Sequence, residues 1–194
     1  MADAAVFRAG ATAFDTPRLH VREPVDADAP VLLAYFTRNE ERFAPWEPAR
    51  SPDVAYYANW IRWRAAERSV QRGLSFLAFD RARPDALVGT LNLYNIELRA
   101  THAAMAGYNF DGAYEGRGYA REAVGAIVAH LFATLGLKKV LANYDPRNVR
   151  SGALLRRLGF VVEGYSRDHL YLRGTWRDSV LTSLTNPDWA PPSA

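Results

Sequence analysis

The chain predicts an α/β domain built on a mixed, mostly antiparallel sheet with helices on both faces. Three observations lead there. A set of strand-like segments comes first, one long amphipathic helix then separates it from a further strand, and a hairpin closes the chain. At 194 residues, 49% of them apolar, the simplest arrangement is one domain with a substantial core. That domain is expected over residues 16–190, after a loose Ala-rich leader at 1–15 and before a short tail at 191–194.

Leu19-His20-Val21-Arg22 alternates and reads as a first strand. Residues 26–38 read as a helix, with Asp26 or Asp28 available as its cap. The prolines of Ala44-Pro45-Trp46-Glu47-Pro48 cannot continue it, since they remove donors and fix φ. Ser51-Pro52-Asp53 then starts a second helix carrying Tyr56, Tyr57, Trp60, Ile61 and Trp63. Strands are expected at 74–80, 87–96 and 101–110. In the middle one Leu91 and Leu93 alternate with Asn92 and Tyr94, leaving one apolar face and one face free to line a cleft. Val124, Ile127, Val128, Leu131, Phe132 and Leu135 recur at helical spacing, and Gly136 supplies the stop. Residues 139–144 give another strand. A short helix with Leu154, Leu155 and Leu158 on one face follows, and 160–172 with 175–184 form a terminal hairpin around Arg173-Gly174.

Composition narrows function mainly by exclusion. Without cysteine there is no disulfide framework, thiolate nucleophile or Cys-based metal site. His20, His102, His130 and His169 are scattered, and histidines of that kind are more often packed or surface residues than metal ligands, so no metal is expected. A net charge of +3 is too mild to argue for DNA. The first sixteen residues lack the apolar core of a signal peptide and no run reaches transmembrane length, so a cytoplasmic protein without a membrane partner is expected.

The segment Tyr114-Glu115-Gly116-Arg117-Gly118-Tyr119-Ala120 opens the central helix. Four N–H groups at a helix start have no intrahelical partner and carry the positive end of the macrodipole. A glycine-lined start is therefore a ready phosphate site, although glycine there is often only a turn. Beyond the helix, Ala142-Asn143-Tyr144 leads into Asp145-Pro146-Arg147-Asn148-Val149-Arg150-Ser151 and on to Leu158-Gly159-Phe160. This order of phosphate-cradling loop, helix, strand, Asn-x-x-Ser and short helix resembles the GNAT family of N-acetyltransferases. Pro45-Trp46-Glu47-Pro48, Glu163-Gly164-Tyr165, Trp176-Arg177-Asp178 and Pro187-Asp188-Trp189 are similar to its RimJ branch, over residues 16–189.

The resemblance implies an acyltransferase that moves an acetyl group from acetyl-CoA, by direct attack on the thioester, to the α-amino group of an N-terminal alanine. The implied acceptor is a small-subunit ribosomal protein, with the ribosome as a possible further partner. It implies that Gly116, Arg117, Gly118, Tyr119 and Ala120 hold the pyrophosphate, and that Asn148 and Ser151 lie beside the pantetheine arm. Backbone amides around Tyr108, Asn109 and Phe110 would bind the thioester oxygen. Arginines at 117, 121, 147, 150, 156 and 157 suit a polyanionic cosubstrate, though any one of them is more simply a solvated helix residue. Glu115 departs from the Gln or Arg usual at the first loop position. It should turn outward, with Arg117 offsetting its charge.

The acceptor class sets how much catalysis is required. An α-amine with a pKa near ~8 is roughly one-tenth neutral at pH 7, whereas a lysine near ~10.4 is neutral in a few parts per ten thousand. The gap of about 2.5 units is about 3.4 kcal/mol of deprotonation, so a weak base suffices. Some related N-terminal acetyltransferases carry a glutamate on the strand and a tyrosine on the next helix; the corresponding residues here are Asn143 and Leu155, neither of which can act as acid or base. Ser151 is then either the proton donor to the departing thiolate or a helix-start residue that only hydrogen-bonds the cosubstrate. Glu47, an exposed carboxylate between two prolines and beside Trp46, is either the base that accepts the proton through water or a surface charge. Asn143 and Tyr144 would orient that water, and Trp46, Tyr94 and Asn95 would line the peptide channel.

Four other readings compete. A dinucleotide enzyme would need a third glycine where Arg121 stands, and a nucleotide P-loop would need Gly-Lys-Ser/Thr. Within the resemblance, an acetyltransferase for a small amine or antibiotic remains open. From another class, so does a ribosome-assembly factor with secondary acetyltransferase activity, using Trp46, Trp60 and Trp63 as a surface, although these tryptophans more simply pack the first two helices.

Overall fold

Short connections fold several consecutive strands back on one another, and a crossover through the central helix produces the one parallel pair among the described strands. The computed structural model describes Phe7 and residues 12–191. Among these, β1 (Ala13–Asp15), β2 (Leu19–Arg22), β3 (Leu74–Asp80), β4 (Arg83–Glu97), β5 (Ala103–Phe110), β6 (Lys139–Tyr144), β7 (Val161–Leu172) and β8 (Thr175–Thr185) form one sheet. Its order is β1-β2-β3-β4-β5-β6-β8-β7. Only β5 and β6 run parallel; the other neighbours are antiparallel. The helices are α1 (Ala29–Arg38), α2 (Glu40–Phe43), α3 (Val54–Ser69), α4 (Tyr119–Leu135) and α5 (Val149–Arg157).

Strand alternation gives the sheet two apolar faces and hence two cores. On one face Leu74 and Phe76 of β3, Leu91 and Leu93 of β4, and Ala104 and Ala106 of β5 pack under Val124, Ile127, Val128, Leu131 and Leu135 of α4. Each of these aliphatic side chains of α4 contributes about 2 kcal/mol through burial. The helix ends at Gly136, whose φ of +60° suits glycine. Its carbonyl accepts from the Trp189 indole at 2.9 Å, which ties the end of the chain to the helix. On the other face Leu32, Tyr35 and Phe36 of α1, Phe43 of α2, and Tyr57 and Ile61 of α3 cover Leu77, Phe79 and Leu87. Asp53 caps α3 by accepting from Ala55 N at 2.9 Å.

The pairing of β5 with β6 stops at Ala106↔Ala142. Beyond it, β5 stays on β4 as far as Gly89↔Phe110, and β6 stays on β8 as far as Tyr144↔Val180. The two strands thus separate, leaving residues 107–110 and 143–144 facing across an open wedge. The mixed sheet with helices on both faces is as the sequence implies.

Several details differ from the sequence reading. Most of the expected leader and residues 192–194 of the tail lie outside the described residues. Residues 13–15, however, form β1, and Phe7 is buried against the first core, so neither is loose. Strand β4 begins at Arg83, four residues early, because Asp80↔Arg83 closes a tight hairpin from β3. Asn92 does not line a cleft: it is buried, and its Oδ1 accepts from Ser75 Oγ at 2.7 Å. Trp63 does not pack between helices but stands 49% exposed on α3. Among the described residues, no helix is long and apolar enough to cross a membrane.

Candidate active site

The loop before α4 is held from outside. Arg18, at the start of β2, donates from Nη1 to the Arg117 carbonyl at 2.8 Å and from Nε to Glu122 of the first helical turn at 2.6 Å. Thr16 Oγ1 also donates to Glu122 at 2.6 Å. Gly116 and Gly118 have φ of +70° and +82°, a region that L residues rarely adopt, and Gly118 is the N-cap of α4. Residues 115–118 are exposed, so the backbone of a 17-residue helix start is open to an anion. Tyr119 contributes through its backbone only, because its ring is buried against Tyr114 and beneath Arg18.

Glu115 turns away from this helix start, but Arg117 does not offset it. Its two oxygens take Arg42 Nη1 at 2.8 Å and Arg150 Nε at 2.7 Å, while Arg117 lies over the Tyr114 and Tyr119 rings. Arg42 comes from α2 and Arg150 from α5, so one carboxylate bridges two elements across the mouth of an open cleft of about 610 Å³. Arg38, Pro45, Trp46 and Asp111 also line that cleft.

On the α4 side of the wedge, Asn148 caps α5 by accepting from Ser151 N at 3.1 Å. The Ser151 hydroxyl then meets the Tyr108 hydroxyl of β5 at 2.9 Å. Burial pushes the Tyr108 phenol up to about 12, with the Ser151 hydrogen bond acting the other way, so it keeps its proton at neutral pH. Gly152 is required next to Ser151, since a Cβ there would come within 2.7 Å of the Tyr144 ring. That ring packs against α5, close enough to the Tyr108 phenol for the two hydroxyls to influence each other. Leu155, where related enzymes carry a tyrosine, is a core residue.

On the opposite face of β5 the next residue, Asn109, meets Glu47. Asn109 Nδ2 donates to Glu47 Oε1 at 2.7 Å, and Arg50 Nη2 donates to Oε2 at 2.8 Å. Glu47 is therefore not the exposed carboxylate that its proline-flanked loop suggests: its side chain is 19% exposed, drawn in by these two donors. Arg173, at the turn between β7 and β8, donates to the Glu47 carbonyl at 3.2 Å and to Glu40 at 2.7 Å. Arg147 of the loop before α5 lies 5.9 Å from the Trp46 ring. The 44–50 loop is thus gripped from both sides of the wedge.

The remaining sequence candidates are less tightly grouped. Asn143 directs Nδ2 at His169 Nδ1, 3.3 Å away, and at Ser179 Oγ, 3.4 Å away, so its amide nitrogen serves the terminal hairpin. The Tyr94 ring lies over Gly107 of β5 and beside Arg64. Asn95, with φ +51°, sits in the bulge where β4 and β5 lose register, a position asparagine tolerates. Phe110 packs against the first core and against Tyr108. Reading the sequence missed the Tyr108 hydroxyl, the Asn109 amide, Arg50 and Tyr35. Strand alternation offered the one available signal, since consecutive residues of β5 must address opposite faces.

Residues 18–161 match the acetyltransferase (GNAT) domain, three-quarters of the chain. The chain belongs to the GNAT family of acetyltransferases and is an acyltransferase. It is 38% identical over 178 residues to the [Ribosomal protein uS5]-alanine N-acetyltransferase of Escherichia coli, covering 91% of this chain and 92% of that one. Among solved structures, the ribosomal-protein-S5-alanine acetyltransferase from Vibrio fischeri superposes with a TM-score of 0.86 at 33% identity, covering 93% of this chain and all of that one. Mycobacterium smegmatis RimJ in complex with CoA-disulfide gives a TM-score of 0.81 at 26% identity, covering 90% and 86%. The family uses acetyl-CoA. The open amides at Gly116–Ala120 and the splayed wedge fit such a cosubstrate.

Proposed function

We propose that the protein transfers the acetyl group of acetyl-CoA to the α-amino group of an N-terminal alanine on a small-subunit ribosomal protein, in the cytoplasm and in association with the ribosome. One observation carries the reading of the chemistry. Tyr108 and Asn109, consecutive residues where β5 leaves β6, address opposite faces of the sheet: one holds Ser151 and the other holds Glu47. The alanine acceptor is supported by the similarity to enzymes named for that reaction.

In this reading the amides of residues 116–120 and the Asn148–Ser151 turn hold the cosubstrate on the α4 side, and the peptide enters from the α1 side. Glu47 attracts the α-ammonium and takes its proton through one water. Both carboxylate oxygens already accept a hydrogen bond, but each keeps a second lone pair for that water. The neutral amine attacks the thioester carbonyl directly. Backbone N–H groups of residues 108–110 stabilise the developing oxyanion, an effect commonly worth a few kcal/mol. Ser151 gives its hydroxyl proton to the departing sulfur and is resupplied through the Tyr108 phenol with the second proton that the amine nitrogen loses as the tetrahedral intermediate collapses to the amide.

Intact masses of ribosomal proteins from cells with and without the gene test the assignment. A single small-subunit protein should gain one acetyl group, at its N-terminal alanine, only when the gene is present. Equal rates on an alanine-starting peptide and on the same peptide blocked at its N-terminus but carrying a lysine would overturn it in favour of a less selective amine acetyltransferase.

A further inference from the structure

The Asn109 side chain sits in a fully determined polar cluster. Tyr35, Thr90 and Asn109 are all buried. Tyr35 Oη donates to Asn109 Oδ1 at 2.8 Å, Thr90 Oγ1 donates to the same oxygen at 3.2 Å, and Asn109 Nδ2 donates to Glu47 at 2.7 Å. An ionised carboxylate can only accept, so the amide nitrogen must face Glu47 and the amide oxygen must face the two hydroxyls. The acceptor-only carboxylate thus sets which end of the amide faces it, and the two hydroxyls, donating to the amide oxygen from two other elements, act as a two-point brace that holds the side chain in place.

We infer that Asn109, braced by Tyr35 and Thr90, is the positioning residue that orients the Glu47 carboxylate toward the acceptor amine. The inference rests on the reading of Glu47 as the base. The brace comes from α1 and β4, so the base is registered to the sheet and not to its own loop. Arg50 holds the other oxygen of Glu47, and Arg173 holds its backbone carbonyl. Tyr35, Tyr57 and Tyr94 lie close enough to feel its charge. Asn109 touches the carboxylate and is itself hydrogen-bonded by side chains of two other elements, whereas Arg50 comes from the same loop as Glu47.

A carboxylate turned away from the ammonium takes its proton less well, and that costs most at low pH, where few α-amines are already neutral. With an alanine-starting peptide, Asn109→Ala should lower kcat/KM about tenfold at pH 6, with the loss shrinking toward pH 8 as the free amine deprotonates unaided. Tyr35→Phe combined with Thr90→Val keeps Asn109 but removes the brace. That variant should show the same pH signature at about threefold, with acetyl-CoA binding by calorimetry unchanged. In a Glu47→Gln background neither change should alter the profile further. A loss equal at every pH, or one that multiplies with Glu47→Gln, overturns the inference. If Glu47→Gln loses activity at low pH while Asn109→Ala does not, the positioning role falls and the base stands. If Glu47→Gln has the parent profile, the base reading falls and the inference with it.

Discussion

The two faces of the wedge are built in opposite ways. On the α4 side the defining turns are local: Asn148 caps Ser151 three positions on, and Gly118 is the cap of the helix it opens, with Tyr108 and Arg18 added from a distance. On the α1 side Arg50 is the local partner of Glu47, and the other contacts are long-range. Glu47 meets Asn109 across 62 positions, Tyr35 meets Asn109 across 74, and Arg173 reaches the Glu47 carbonyl across 126. A site for an invariant cosubstrate can be made of short motifs that fold the same way anywhere. A site for a particular acceptor is assembled from a loop, two helices and a hairpin, each of which can change independently. The α4 side should therefore fail sharply at single residues, and the α1 side gradually, through several partners.

The largest expected effect tests the sharp side. Ser151→Ala removes the proton donor but leaves the Asn148 cap, which uses the Ser151 backbone. Its kcat should fall about a hundredfold, with acceptor KM little changed. A variant with the parent kcat would reduce Ser151 to a binding residue and blur the contrast between the faces. Next, Gly118→Val places a β-branched side chain at φ +82° and lifts the loop from an incoming phosphate. Acetyl-CoA affinity measured by calorimetry should drop at least about tenfold, from backbone strain of roughly 1–2 kcal/mol together with the lost approach. Unchanged affinity would move the phosphate site elsewhere.

These two positions were also the easiest to find in the sequence, for the same reason. A glycine at a helix start and an Asn-x-x-Ser turn define their geometry within a few residues, so pattern and role travel together. Glu47 could be found as a carboxylate held between prolines. Its burial could not, because Asn109 and Arg50 draw it inward and only the tertiary fold brings Asn109 near. The same holds for Glu115, whose partners come from α2 and α5. Among the fold elements, β1 escaped because three residues carry too little alternation. The placement of β8 between β6 and β7 is a long-range pairing that local pattern does not encode.

Smaller effects sharpen the comparison. Tyr108→Phe keeps the ring that packs beside Phe110 and removes only the hydroxyl that meets Ser151. It should lower kcat about fivefold, and in a Ser151→Ala background it should lower it no further. Full additivity would mean that Tyr108 acts on its own. Glu115→Gln breaks two partly exposed ion pairs that stabilise the fold little. It frees Arg42 and Arg150 for phosphate, so acetyl-CoA affinity should rise about twofold at low salt, an effect that fades as salt screens it. Weaker binding would show that the bridge itself shapes the cleft.

The central claim is that Tyr108 and Asn109 divide the chemistry, with proton donation to sulfur on one face and proton removal from the amine on the other. The pH dependence of kcat for Ser151→Ala and Glu47→Gln, measured side by side on one alanine-starting peptide, tests it most directly. The serine variant should lose a constant factor at every pH. The glutamate variant should lose most at low pH and recover as pH rises toward ~8, where the α-amine supplies its own neutral fraction. Two losses with the same pH shape would contradict the division and leave Glu47 as an electrostatic guide for the ammonium.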